Sequence, residues 1–282
     1  MPKSSRRSRR PQRKPAQPPA LAPGRGPVPK TRDELDAMAA AGDVLASCLE
    51  MLAEEAREGV TTLELDSAAE EFIRARGGVP SFKGYHGFPG SICPSVNEQV
   101  VHAIPGPYRL RSGDILSIDA GVTLDGWVAD SARTLPIGTV TAEAARLIMV
   151  TEAALERGIA ACRLGARVGD IGHAVQVEVE AAGFAVVRSL VGHGVGRSMH
   201  EEPQVPNFGQ AGSGPVLDEG VVVAIEPMVN AGVHEVVMAP DGWTISTKDG
   251  SLSAHSEHTV AVTAGGPRIL TLGRRTPAAA AS

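Results

Sequence analysis

Four acidic residues in this sequence stand beside short apolar, strand-like runs, where an isolated charge is costly. Asp119 and Glu226 each end such a run, Asp130 follows Val-Ala, and Glu257 precedes His-Thr-Val. Ionised carboxylates in apolar surroundings need a compensating charge. Two divalent cations bridged by carboxylates would supply it and would also activate water for hydrolysis. The alternative for each acid alone is that it caps its strand or pairs with an arginine.

Three histidines are candidates for catalytic or metal-binding roles beside these acids. His193 lies among small residues in GHGVG (192–196), His200 follows seven residues later, and His102 lies in NEQVVHAIP. Imidazoles near metals commonly act as acids, bases or polarising groups. A single histidine in such a place is more often structural, so only the three histidines together with the acids indicate a catalytic site.

An internal echo indicates how the acids could meet. LRSGDILSIDAG (110–121) matches LDEGVVVAIEPM (217–228) at equal offsets, which aligns Asp119 with Glu226. Further on, Asp-Gly-Trp at 125–127 is repeated at 241–243. Two halves related by a pseudo-two-fold axis would bring both strands to the centre, with their carboxylates converging.

The elements that must position these residues are legible in the sequence. Apolar residues at steps of three and four predict helices, and capping boxes at Thr31/Glu34 and Thr61/Glu64 mark two of the starts. The helices are expected over about 31–56, 61–77, 141–164 and 168–182. Val- and Ile-rich runs predict strands over 114–122, 127–135, 185–190, 221–226, 235–238, 243–247 and 258–263. Helices and strands mix without strict alternation, which predicts an α+β fold.

Composition separates a tail from a body. Residues 1–30 carry nine Lys and Arg, no acid and eight prolines, so we expect a disordered extension. Its alternatives are a solvated tail and a polyelectrolyte contact with RNA, such as the ribosome. Export is not expected, because no apolar segment follows Arg6-Arg7, and no run of about 18 apolar residues predicts a membrane span. Three dispersed cysteines favour the cytoplasm.

The ordered blocks NEQVVHAIP, SIDAGV, VADSART, GHGVGRSMHEEP, IEPMV and SEHT resemble the signatures of methionine aminopeptidases of the bacterial-style first type. The resemblance covers about 31–272 and implies a single catalytic metallopeptidase domain with the pita-bread (creatinase/aminopeptidase-like) fold. Residues 273–282 are expected to be a flexible tail. The implied substrate is the N-terminus of a nascent polypeptide with a small second residue, and the expected state is a monomer. Removing residues 1–30 is expected to leave peptide cleavage unchanged.

By matching position, the resemblance implies a ligand set for two divalent metal ions (Mn, Fe(II), Co or Zn). That set is Asp119, Asp130, His193, Glu226 and Glu257, with Asp130 and Glu257 bridging. The implied catalytic residues are Glu226 as general base, His200 at the oxyanion and His102 at the scissile amide.

The resemblance also implies a pocket for the methionine side chain. It would be lined by Tyr85, Phe88, Cys93, Met199 and Trp243, with His86 at its mouth. Phe82, Ala103 and Met199 depart from the usual family residues, which bears on the pocket and leaves the ligand set intact. The other histidines, His173, His234 and His255, are expected on a helix surface or strand edge, and His258 is expected to point away from the site.

Three other interpretations compete with this one. Prolidases and Xaa-Pro aminopeptidases resemble the chain at the metal ligands, but they usually carry a folded domain before the catalytic one. The second type of methionine aminopeptidase carries a helical insertion that the 26 residues from His200 to Glu226 do not accommodate. Pita-bread proteins that only bind partners lack metal ligands, whereas here all five positions are filled.

Overall fold

The computed structural model describes residues 26–273. Within that range the four predicted helices are present: α1 Arg32–Glu55, α2 Thr62–Ala75, α3 Ala142–Ala161 and α4 Val168–Ala181. Both capping boxes form as predicted, with Thr31 and Thr61 each accepting a hydrogen bond from the backbone of the glutamate three residues later. No helix in the described part of the chain is long and apolar enough to cross a membrane.

Helix α1 lies directly against the backbone at Leu270. Its predicted apolar face is buried, and a Cβ on Gly42 would lie 1.9 Å from the backbone oxygen of Leu270. Glycine costs a helix about 1 kcal/mol relative to alanine. Here that cost is smaller than the clash an alanine would create, so the glycine sets how closely α1 approaches the sheet.

Every strand pair in the described part of the chain is antiparallel. Among residues 26–273 they are β1 Val79–Pro80, β2 Ile92–Val96, β3 Gln99–Val101, β4 Ile115–Leu124, β5 Trp127–Pro136, β6 Ala185–Val186, β7 Gly192–Gly194, β8 Glu201–Val205, β9 Val222–Ile225, β10 Met228–Asn230, β11 Val236–Met238, β12 Ile245–Thr247, β13 Ser253–His255, β14 Glu257–Thr263 and β15 Gly266–Ile269. The main sheet runs β1-β4-β5-β14-β9-β7-β8, with β2 on β4 and β15 on β14. Two three-stranded sheets, β13-β10-β6 and β11-β12-β3, complete the α+β architecture.

The internal echo is realised at the centre of the main sheet. Strand β4 pairs with β5, β9 pairs with β14, and β5 pairs with β14 between them. Gly113 and Gly220, the echoed turn glycines, both have positive φ, at 104° and 84°. The helices follow the same division, since α1 and α2 pack with β4 whereas α3 and α4 pack around β9 and β14.

The second part of the echo does not occupy equivalent places. Asp125-Gly126 forms the two-residue turn between β4 and β5. Asp241-Gly242 instead lies between β11 and β12, in a separate sheet. The repeated Asp-Gly-Trp therefore reflects a shared turn chemistry, because Asp-Gly suits tight turns, and not the pseudo-symmetry.

Side-chain hydroxyls fasten the two central strands together. Thr259 Oγ1 donates to the Asp130 carbonyl at 2.8 Å and accepts from the Asp130 N–H at 3.0 Å. Ser131 Oγ donates to the Glu257 carbonyl at 2.7 Å. These bonds fix the backbone at both acids, so the carboxylates are presented from a rigid strand pair and not from loops.

The predicted tail meets the body at its last residue. Residues 1–25 and 274–282 lie outside the described residues, so the predictions of a disordered extension and of a flexible C-terminal tail stay predictions there. Lys30, by contrast, is buried, and its backbone N–H donates to the Gly220 carbonyl at 2.7 Å. Structurally, Lys30 belongs with the body.

Candidate metal centre

The four predicted carboxylates come from the four central strands. Asp119 lies in β4, Asp130 in β5 and Glu257 begins β14, while Glu226 directly follows β9. Asp119, Asp130 and Glu257 are buried, at 8 %, 4 % and 2 % exposure. Register explains the convergence, because Asp119 and Glu257 both pair with Ala132, from opposite sides of β5.

Burial and mutual repulsion make these carboxyls difficult to ionise. Burial raises the pKa of Asp130 to about 7. Burial, followed by the charge of Asp130, raises the pKa of Asp119, Glu226 and Glu257 well above the usual carboxyl range. Within residues 26–273, no ion pair joins a lysine or arginine to any of the four. The described part of the chain thus gathers four acids without a lysine or arginine side chain paired to them.

His193 completes the cluster with a defined tautomer. Its Nδ1 lies 2.8 Å from the carbonyl oxygen of Gly194, and a carbonyl can only accept, so Nδ1 carries the proton. The Nε2 lone pair then faces Asp130 Oδ2 at 3.7 Å and Glu226 Oε1 at 3.6 Å. Burial lowers the pKa of His193 to about 3, which keeps the ring neutral.

These residues fit a bound cation. A neutral imidazole lone pair aimed at carboxylate oxygens is repulsive unless a positive ion lies between them. Ligand atoms of Asp130, His193 and Glu257 lie within 4.8 Å of one another. One buried oxygen on each of Asp119, Asp130 and Glu257 has no hydrogen-bond partner among the described residues. A histidine whose Nδ1–H is held by a carbonyl is also the usual arrangement for a metal ligand.

The other two predicted histidines flank this cluster. The ring of His200 lies 4.2 Å from that of His193, centroid to centroid, and is open to solvent on one side. Desolvation by the surrounding protein lowers the pKa of His200 to about 4. His102 has a left-handed backbone, with φ at 59°, and burial together with His200 lowers its pKa to about 4 although its side chain reaches solvent. Both rings are therefore neutral at pH 7.

A part-buried ion pair holds the turn that carries His200. Lys30 Nζ lies 2.6 Å from Glu201 Oε2, with only 6 % of the lysine side chain exposed. The other oxygen of Glu201 accepts from the Ser198 N–H at 3.1 Å. The last residue of the basic extension thus contacts the residue next to His200, which sequence patterns had not indicated.

The predicted pocket residues fall into two groups. Tyr85 and Phe82 pack with the buried Met199, whose Cε would meet a Cβ on Gly121 at 2.7 Å. Phe88 and Trp243 form an edge-to-face pair with centroids 5.2 Å apart. The space over Gly121 explains how the larger Phe82 and the unbranched Met199 are accommodated together.

The remaining pocket residues lie on either side of these groups. His86 is exposed, with φ at 49°, and its ring packs edge to face against the ring of Tyr85, with centroids 4.3 Å apart. Cys93 is buried and pairs with Asp119 across β2 and β4. Burial, followed by the charge of Asp119, raises the pKa of the Cys93 thiol well above its usual range, so the thiol stays protonated.

His255 lies on an edge strand, β13, as expected, but it is buried beside the carboxylates and not at the surface. It is 1 % exposed, its Nε2 lies 3.9 Å from Glu226 Oε2, and neither ring nitrogen has a hydrogen-bond partner among the described residues. Burial lowers the pKa of His255 to about 3. The alternation that turns His258 away from the site also places His255, two residues before Glu257, on the same side as that acid. This signal was available in the sequence, and the prediction applied it to His258 only.

The other three histidines behave as predicted. His173 is exposed on α4, and His234 keeps 43 % of its side chain exposed beside Glu235. His258 turns away from the cluster and hydrogen-bonds Thr271 Oγ1 at 2.8 Å. None of the three joins the carboxylates.

Comparison with known proteins agrees with this geometry. The model of metallopeptidase family M24 matches residues 36–264. The methionine aminopeptidase of Clostridium perfringens is 53 % identical over 243 residues, which cover 86 % of this chain and 98 % of that protein. The crystal structure of methionine aminopeptidase from Rickettsia prowazekii superposes with a TM-score of 0.86 at 41 % identity, covering 87 % of this chain and all of that one.

A more distant likeness distinguishes fold from function. The prolidase of Pyrococcus horikoshii OT3 superposes with a TM-score of 0.68 at 19 % identity, and this chain covers 64 % of it. That likeness shows the shared pita-bread fold alone. The identity, the coverage and the family model together show that the chain belongs to the methionine aminopeptidases of metallopeptidase family M24.

Proposed function

We propose that this chain removes the initiator methionine from nascent polypeptides by using two divalent ions held by Asp119, Asp130, His193, Glu226 and Glu257. The observation that carries the proposal is the buried carboxylate cluster, which faces the lone pair of a neutral imidazole at 3.6–3.7 Å and has no protein counter-charge among the described residues. Four carboxylates and one imidazole suit Mn, Fe(II) or Co better than a thiolate-preferring metal, and Zn also accepts them.

Each side chain has a role that follows from its chemistry. When bound, the ions supply Lewis-acid activation of a water and of the scissile carbonyl. Glu226, the carboxylate whose side chain is most open at 14 % exposure, takes the proton from the attacking water and passes it to the leaving amine. His200 donates to the developing oxyanion. His102 holds the scissile amide and assists its nitrogen.

The substrate enters where the two pocket groups meet the cluster. Tyr85, Met199, Phe88, Cys93 and Trp243 form an apolar wall for the methionine side chain, and His86 marks the exposed rim. A thioether is polarisable and packs well against aromatic rings and sulfur. A small second residue follows from the family resemblance.

The decisive experiment removes metal with a chelator and restores Mn, Fe(II), Co or Zn in separate samples. We expect release of methionine from Met-Ala-Ser, restored by metal and lost in Asp130→Asn, with Ala-Pro-Ser left intact. Cleavage of Ala-Pro-Ser would move the chain to the prolidases. Failure of every metal to restore cleavage would favour a protein that only binds partners.

The two histidines outside the ligand set provide a second test. We expect His102→Ala and His200→Ala each to lower kcat by about 10²–10⁴ while the bound metal content is unchanged, because these rings act on the substrate and not on the ions. His173→Ala, an exposed helix position, is the matched control and should keep full activity. Loss of metal from either of the first two variants contradicts the assigned roles.

We further propose that the chain acts as a monomer in the cytoplasm, with its basic extension contacting ribosomal RNA. The three cysteines are buried and unpaired, as suits a reducing compartment. Eight of the nine basic residues of the extension precede residue 26, so a salt-sensitive contact would depend on them. Lys30 is excluded from that role, because its ammonium is already paired with Glu201.

Separating the extension from its last residue tests this division. Deleting residues 1–25 should leave cleavage of Met-Ala-Ser unchanged and weaken salt-sensitive ribosome binding. Lys30→Met should instead lower kcat/KM by about 10–100-fold, because it frees the turn before His200 and small displacements at an active site are costly. Lys248→Met, at an exposed lysine, is the control. Ribosome affinity unaffected by the deletion, or wild-type kcat/KM in Lys30→Met, would contradict the respective half of the idea.

A further inference from the structure

The hydroxyl of Tyr85 makes a contact that a pocket wall does not require. It lies 2.8 Å from Nδ1 of His200, and the two rings stack with centroids 5.5 Å apart and planes inclined by 23°. The ring of Tyr85 packs against Met199, and this packing fixes the position of the hydroxyl. The ring therefore contributes to the pocket wall, whereas the hydroxyl contacts His200.

Only one direction of this hydrogen bond leaves His200 able to donate a hydrogen bond to the oxyanion. A neutral imidazole has one N–H and one lone pair. If Nδ1 donated to the phenol oxygen, Nε2 would carry a lone pair and could not donate to a developing oxyanion. If the phenol donates to Nδ1, the proton is confined to Nε2, where a donor is needed.

The phenol is suited to donate. Burial, followed by the negative charge of Asp130, raises the pKa of the Tyr85 hydroxyl, so it keeps its proton. The contact also mirrors the neighbouring ring. His193 is fixed as the Nδ1–H tautomer by the Gly194 carbonyl, which can only accept. His200, 4.2 Å away between ring centroids, is met at Nδ1 by a group that can donate.

We propose that Tyr85 is a positioning residue that donates its hydroxyl proton to His200 Nδ1 and so holds His200 as the Nε2–H tautomer. Two adjacent imidazoles are thereby set to opposite tautomers, one presenting a lone pair and the other an N–H. The catalytic consequence rests on the proposed function, because it assumes that His200 acts on the substrate. The tautomer itself does not.

The test removes one oxygen atom. In nitrogen-15 NMR of metal-free protein, with the His200 signals assigned by comparison with His200→Ala, the wild type should show the proton on Nε2. Tyr85→Phe should lose this preference and populate both tautomers. With metal restored, Tyr85→Phe should lower kcat for Met-Ala-Ser about tenfold, the effect of losing one well-placed hydrogen bond. Metal content and the preference for methionine over leucine substrates should not change.

Two controls separate positioning from packing. Tyr108→Phe removes the same atom at the chain's other tyrosine, whose hydroxyl contacts Asp114 at 2.9 Å, and should change neither kcat nor the His200 tautomer. In a His200→Ala background, Tyr85→Phe should have no further effect on kcat, because the group it positions is gone. A wild-type proton on Nδ1 overturns the proposal, as does a Tyr85→Phe variant with unchanged kcat. A wild type without peptidase activity would overturn the proposed function and leave the tautomer measurement standing.

Discussion

The structure depends on negative charge concentrated where the protein can least solvate it. Asp119, Asp130, Glu226 and Glu257 converge at the centre of the main sheet, and the described residues provide no lysine or arginine to neutralise them. An apolar core would be more stable at this place, because unpaired buried carboxylates oppose folding. The fold tolerates them because divalent ions reverse the balance, which makes metal binding and the stability of the sheet centre two aspects of the same interaction.

The rest of the molecule holds that charge in place. Thr259 and Ser131 fasten β5 to β14 at the two central acids, so repulsion between their carboxylates cannot separate the strands. The outer groups serve the imidazoles instead. The Gly194 carbonyl sets one tautomer at His193, and the Lys30–Glu201 pair holds the turn that precedes the substrate side of the site. Rigidity at the acids and orientation at the histidines are thus supplied by different elements.

Much of this could be predicted from the sequence, for identifiable reasons. Apolar periodicity and capping boxes located the four helices, and acids placed beside buried strands located the carboxylates, because both signals are local. The exceptions depend on long-range contacts. In the sequence, Lys30 is one more charge of a basic tail. Its ion pair with Glu201, 171 residues away, forms only in the folded chain. The direction of the Tyr85 hydroxyl likewise depends on a turn that only the folded chain brings near. His255 is a different case, because alternation from Glu257 places it on the side of the site and this local signal was not used. Short strands such as Gly192–Gly194 lack apolar alternation and were not predicted for that reason.

The most direct test of the central claim is the free energy of unfolding of Asp119→Asn at pH 8, with and without metal. A carboxyl whose pKa is raised on folding loses stability as the pH rises from its unfolded pKa through its folded pKa, so Asp119 opposes folding at pH 8. We expect metal-free Asp119→Asn to be more stable than the metal-free wild type by about 1–3 kcal/mol, and less stable than the wild type once metal is added. Asp66→Ala is the control, since it removes the oxygen that accepts from the Ser91 and Ile92 N–H groups, and it should destabilise both forms whether or not metal is present. A metal-free Asp119→Asn less stable than the wild type would contradict the account.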